Sequence, residues 1–269
     1  MNEKRTAEHA PIVGYECIDG IAMIGLNRPD KLNALDDDMA LALAAALHRF
    51  DIDPDAQVAV LHGRGRAFCS GADVRKRQLR SETELRQHGG PQAWGASANE
   101  LFARGVNWKP VIAAVHGYAL GLGLGITLQS DLVVAERGTK FQVTETSRGL
   151  AAARHWAMLR FRGAGSFATQ ITLTGRMFTA EEAFAAGVVD YLAEPGAGIE
   201  MARNVGHDIA RNPPLSVRAT VRTRRWYMAQ AEREAFLQTD PFKLYLTEDF
   251  RESARAFAEK RPAGPFKGR

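Results

Sequence analysis

The feature that most constrains this chain is an uncharged run, Pro110–Leu128 (PVIAAVHGYALGLGLGITL), 19 residues long. That length approaches what a helix needs to cross a bilayer. The run opens on a proline, however, and contains four glycines and His116, which is poor material for one continuous helix. It reads instead as a buried strand, Val111–Val115, a tight turn at His116-Gly117, and a helix opening near Gly121. A unit so apolar must be covered by the rest of the chain. With 45% hydrophobic and 25% charged residues among 269, the composition is that of a globular protein able to provide that cover.

Around this unit the pattern is α/β. Ile12–Ile18 and Ile21–Leu26 flank Asp19-Gly20, a two-residue hairpin signal. Asp36 suits an N-cap, followed by Met39, Leu43, Leu47 and Phe50 at helical spacing. Val58–Leu61 and Ala67–Cys69 read as strands, as do Leu132–Ala135 and Phe141–Val143. Thr179 with Glu182 forms a capping-box signature, and Pro213-Pro214 separates a helix near 200–211 from one near 215–238. The repeated theme of strand, strand and helix carries no repeated sequence. Residues 76–107, rich in Arg, Glu, Gln and Gly, lack core periodicity and read as a functional cover or a surface insertion.

Two glycine-rich turns could carry chemistry. Phe68-Cys69-Ser70-Gly71-Ala72-Asp73-Val74 and the segment 117–125 each follow a strand and lead into a helix or tight turn. Small residues let a ligand approach the backbone, and free N–H groups of a first helical turn attract negative charge. Two such turns facing one point would make an oxyanion hole from main-chain donors; taken singly, either is equally a packing turn. Gly121-x-Gly123-x-Gly125 fails the dinucleotide fingerprint, which needs glycine where Ile126 stands.

Leu26–Leu35 (LNRPDKLNAL), Gly63–Arg75 (GRGRAFCSGADVR), Lys109–Ala135, Thr179–Val189 (TAEEAFAAGVV) and Phe257–Arg261 (FAEKR) together resemble, in order, the motifs of the crotonase (enoyl-CoA hydratase/isomerase) superfamily. The resemblance implies a spiral of ββα turns over residues 1–200 and a C-terminal helical trimerisation region over 201–269, as one continuous unit. It implies an acyl-CoA thioester substrate, no separate cofactor, and a homotrimer or hexamer. By position, the N–H groups of Ala72 and Leu122 would form the oxyanion hole. Lys31, Leu32, Ala34, Asp73 and Val74 would lie along the adenine and pantetheine, and Phe257 and Lys260 would reach the CoA of this or a neighbouring subunit.

The acid/base residues depart from the hydratase pattern of two glutamates. The first position falls at Gly125, the second at Glu145. Adding water across a conjugated double bond is conveniently divided between two carboxylates, whereas moving a double bond from the 3 to the 2 position needs one base that returns the same proton. Glu145 alone therefore favours isomerase chemistry without excluding hydration. Ser147, Arg148, Arg154 and His155 follow it where the family carries a proline-glycine-rich loop. An imidazole can hold a proton near neutrality, but a lone histidine beside Trp156 reads first as a packed or surface residue. His116 reads as structural, and Asp131 as a local cap or pair. Thioester hydrolysis, decarboxylation and a catalytically lapsed CoA-binding homologue are the rival readings.

Thirty-five basic and 31 acidic residues leave a net charge of +4. That suits a phosphate-bearing ligand but provides no arginine-rich run or aromatic series for nucleic acid. No His, Asp and Glu cluster has metal-ligand spacing. Two cysteines, Cys17 and Cys69, make no disulfide framework, and residues 1–10 carry no apolar signal core. A cytoplasmic location with no membrane contact is expected.

Overall fold

Asp19 and Gly20 both take positive φ, 50° and 80°, the twist that closes a two-residue hairpin. They join β1 (Val13–Ile18) to β2 (Ile21–Leu26) in antiparallel register, Ile18 opposite Ile21. The computed structural model describes residues 10–91, 101–102 and 105–269. The expectation for the extreme amino terminus and part of that for 76–107 lie outside these residues. Helix α1 (Asp37–Ile52) starts where Asp36 accepts from the Met39 N–H, 3.1 Å. Its Leu43, Leu47 and Phe50 are buried.

Next come β3 (Val58–Gly63), the single-turn α2 (Val74–Arg77) and α3 (Glu82–His88). The 110–128 run resolves into β4 (Val111–Val115), a short β5 (Tyr118–Leu120) and α4 (Leu122–Gln129). Among the described residues, no helix is long and apolar enough to cross a membrane. β6 (Leu132–Glu136) and β7 (Lys140–Gln142) repeat the step. Then follow α5 (Ala153–Phe161), α6 (Gly165–Thr174), β8 (Met177–Thr179), α7 (Ala180–Ala185) and β9 (Tyr191–Ala193). The chain continues through α8 (Gly198–Ala210), α9 (Pro214–Thr239) and α10 (Glu248–Glu259).

The strands form two sheets, β1-β2-β3-β4-β6-β9 and β5-β7-β8. From β4 onward the chain visits both sheets in each turn, which is the path of a spiral. β4 shows why its sequence is unbroken by polar residues. Ile112 and Ala114 face α8, packing with Met201, Val205 and Ile209 around them. Val111, Ala113 and Val115 belong to the main core with Phe141 and Phe178. A parallel strand covered on both faces has no solvent side to mark. The architecture is mixed α/β with a helical C-terminal region, whose first helix, α8, seals the large sheet.

Three expectations change. Ala67–Cys69 is not a strand; only an isolated bridge pairs Cys69 with Ala119, because the chain turns away at Gly71. Asp131 is not local. Its carboxylate accepts from Arg224 and Arg225 of α9, at 3.2 and 3.1 Å, and from the Val111 N–H at 2.8 Å, so it pins α9 to the sheet. Within 76–107, α3 has a full capping box on Ser81 and Glu84, and Leu85, Leu101 and Phe102 are buried.

Candidate active site

Two glycine turns converge because neither position tolerates a side chain. A Cβ on Gly71, at φ +99°, would lie 2.8 Å from the Leu120 carbonyl oxygen and 3.6 Å from the Leu122 nitrogen. A Cβ on Gly123 would lie 2.3 Å from the Cys69 oxygen. Between them the backbones pair, Cys69 N–H to Tyr118 and Leu120 N–H to Cys69, each 3.0 Å. Leu122 is the first residue of α4, where an N–H has no partner within the helix. Among the described residues, neither the Ala72 nor the Leu122 N–H donates to a protein acceptor. Both are half-buried. Burial pushes the neighbouring Cys69 thiol up to about 12.

The segment from Arg28 to Asp36 is laced to the first glycine turn. Arg28 reaches Asp36 at 3.1 Å and Asp73 at 3.5 Å, and Lys76 reaches Asp36 at 2.8 Å. Burial works against the Asp36 carboxylate, but the Lys76 hydrogen bond and its other partners hold it below the usual range. Asn33, fully buried, donates to the Arg64 and Ala67 carbonyls at 2.9 and 2.8 Å. Ser70 N–H bonds to the Leu32 oxygen at 2.9 Å. Lys31, Leu32 and Ala34 thus run alongside Asp73, which caps α2, and Val74. Phe257 belongs to α10 and Lys260 caps its C-terminus; the helix packs on α2 and on the 3₁₀ turn Thr146–Arg148 of the same chain. Arg75 donates to the Ala258 oxygen at 3.2 Å, and the Arg148 guanidinium lies 3.9 Å above the Phe257 ring.

Glu145 precedes that 3₁₀ turn, whose Arg148 N–H bonds back to its carbonyl at 3.0 Å. Its Oε2 is buried and makes no hydrogen bond. Its Oε1 sits over Gly121, 3.4 Å from where a Cβ would be. The carboxylate faces a cavity of about 200 Å³ that Leu122, Gly125, Gln129, Leu150, His155 and Tyr245 help to line. Gly89 and Pro91 from the polar 76–107 segment complete one wall, so part of that segment serves as a cover. Behind Gln129 is Glu232, 3.5 Å away and buried. Burial pushes its carboxyl up to about 7, against the opposing pull of Arg154.

His155 is where sequence reasoning fell short. It is buried, the packed one of the two readings, and what was missed is its contact with Glu145. Its Nε2 is 3.0 Å from the Gly121 oxygen, its Nδ1 is 3.6 Å from Glu145 Oε2, and its Nε2 would be 3.3 Å from a Cβ at position 125. Glycine at 125 was the available signal: it leaves room in α4 that a ring from α5 fills. His116, by contrast, is structural, bonded to the Gly65 carbonyl at 2.9 Å. Among the described residues, no three His, Cys, Asp or Glu side chains group to hold a metal ion.

The family model described as enoyl-CoA hydratase/isomerase matches residues 16–269. The (E)-benzylidenesuccinyl-CoA hydratase of Thauera aromatica is 35% identical over 264 residues, covering 95% of this chain and 99% of that protein. An enoyl-CoA hydratase of Mycobacterium tuberculosis is 32% identical, covering 95% and 97%. The crystal structure of carnitinyl-CoA hydratase from Mycobacterium avium superposes with a TM-score of 0.79 at 29% identity, covering 97% of this chain and all (100%) of that one.

Proposed function

Since the chain belongs to the enoyl-CoA hydratase/isomerase family, we propose that it binds an enoyl-CoA thioester, stabilises its enolate between two backbone N–H groups, and moves the proton with Glu145. The observation that carries this reading is the Glu145 carboxylate, half-buried beside a cavity with one oxygen unbonded. The unbonded Ala72 and Leu122 N–H groups support the oxyanion hole. Donors already aimed at the site where charge develops need no reorganisation during the reaction, and losing one such donor typically lowers turnover by about 10²–10³-fold.

In isomerisation, Glu145 takes the C2 proton of a 3-enoyl thioester, the electrons pass to the thioester oxygen, and the proton returns at C4. In hydration, a water oxygen bonds to C3 of a 2-enoyl thioester while its proton passes to Glu145 and then to C2. Both balance with one carboxylate. The missing side chain at Gly125 supports a single-glutamate course, and the hydratase names of the relatives support water addition. Lys31, Leu32, Ala34, Asp73, Val74, Phe257 and Lys260 would hold the CoA, which enters as part of the substrate with no separate cofactor. Exposed Leu215, Trp226, Tyr227 and Phe242 in the helical region support assembly into a homotrimer or hexamer there.

The test pairs a 2-enoyl-CoA, followed by loss of the conjugated thioester absorbance, with a 3-enoyl-CoA, followed by its gain. Glu145→Gln should lower whichever activity is found by about 10²–10⁴-fold. Full activity in that variant would overturn the reading, as would turnover of saturated acyl-CoA alone.

A further inference from the structure

We infer that His155 is a positioning residue for proton transfer, a hydrogen-bond acceptor for the protonated Glu145 carboxyl, seated in the space that Gly125 leaves open. The inference rests on Glu145 being the acid/base group. It begins with a tautomer. The Gly121 carbonyl can only accept, so the His155 Nε2 facing it at 3.0 Å carries the proton. Gly121 also receives the Gly125 N–H, at 2.9 Å, so this carbonyl is fixed by the first turn of α4 and fixes the ring in turn. The other nitrogen, Nδ1, is then the one that can gain a proton, and it points at Glu145 Oε2 across 3.6 Å.

That arrangement is unsatisfied as it stands. A neutral imidazole and an ionised carboxylate present lone pairs to each other, and Glu145 Oε2, although buried, has no hydrogen-bond donor. One proton placed between them, with the two atoms a few tenths of an ångström closer, completes the bond. When Glu145 takes a proton from substrate or water, its O–H can donate to Nδ1; the same proton then returns to carbon through the carboxyl. The pair gains one proton and releases one, so the reaction balances without a co-reactant. Neither ring nitrogen is free for the reacting atoms, because one is held by Gly121 and the other faces Glu145. It acts through the glutamate.

The pair is largely enclosed. Side-chain exposure is 10% for His155 and 18% for Glu145. The charged groups nearby are Arg148, next to Glu145; Arg154, stacked over the Phe236 ring at 4.3 Å; Glu232 behind Gln129; and Asp240 and Lys243 at the cavity rim, paired at 2.5 Å. A side chain at position 125 would crowd the ring, since its Cβ alone would approach Nε2 to 3.3 Å.

His155→Gln is the informative variant: its amide keeps a donor for Gly121 and removes the base beside Glu145. Turnover (kcat) should fall about 10- to 100-fold, less than the loss of a group that itself transfers the proton. KM and Tm should stay near wild-type, whereas a merely structural role would move Tm. In a Glu145→Gln background the same change should lower kcat no further. Ring nitrogen resonances of labelled protein give a readout independent of activity. They should show protonated Nε2 and basic Nδ1, with Nδ1 shifting on Glu145→Gln. An unchanged kcat in His155→Gln, additive losses, or a proton on Nδ1 with Nε2 bare would each overturn the inference. Full activity in Glu145→Gln would instead remove the functional reading beneath it.

Discussion

Glu232 should weaken the fold at neutral and alkaline pH, and Glu232→Gln should relieve that. The carboxyl is buried on α9 with Gln129 as its hydrogen-bond partner, and burial raises it from an ordinary 4.5 to about 7. Below pH 4.5 both folded and unfolded chains hold the proton, and the group is neutral toward stability. As pH rises toward 7 the unfolded chain releases its proton first, so stability falls across that window and stays reduced above it. The interval, at about 1.4 kcal/mol per pH unit, sets a ceiling of about 3 kcal/mol. For a chain of this size that corresponds to about 6–12 °C in melting temperature. Glutamine keeps the shape and a partner for Gln129 but never ionises. Calorimetry or urea unfolding at pH 5 and pH 8 should show the variant gaining stability over wild-type mainly at pH 8. An equal gain at both values, or none at pH 8, would refute the reasoning.

Two further outcomes follow from the glycine turns. Gly71→Ala places a Cβ 2.8 Å from the Leu120 oxygen at a φ of +99°, so it should spread the Ala72 and Leu122 N–H groups and lower kcat by about 10²-fold or more. Steady-state kinetics on an enoyl-CoA checks this, and a kcat within a few-fold of wild-type would refute it. The Cys69 thiol, raised to about 12 by full burial, should resist alkylation in the native protein at pH 8 and react on unfolding. Mass spectrometry showing rapid labelling of Cys69 in native protein would contradict its placement.

How much of this was legible depended on how local the cause is. The Asp19-Gly20 hairpin, the Asp36 cap and the Thr179–Glu182 capping box hold as read, because each is set by residues within a few positions of one another. The Ser81–Glu84 capping box was equally readable but lay in a segment whose composition suggested surface. Three-residue strands such as Tyr118–Leu120 and Tyr191–Ala193 have no periodicity to detect and exist only because a neighbouring strand is present. Resemblance alone pointed to Glu145, and Gly125 was the one signal in the sequence for the ring beside it, because α5 packs on α4 at that glycine. On α9, Val221, Arg225, Met228 and Glu232 fall on one buried face. Charges at such positions usually signal solvent, and here they signal the Asp131 pair and the cavity wall.

The packing of α10 has a consequence for the order of events in synthesis. Gly149, just after the Glu145 turn, sits so close to α10 that a Cβ there would lie 2.9 Å from the Phe250 nitrogen. Ser253 donates to the Ser147 carbonyl at 3.0 Å, and Phe257 lies under Arg148. The loop that presents the carboxylate is therefore braced by residues made about a hundred positions later. Domains form as the chain emerges, so the sheets can assemble on the ribosome while that loop still lacks its support. A nascent chain stopped short of residue 247 would carry both sheets yet hold Glu145 loosely, and the loop around it would settle only when α10 is released.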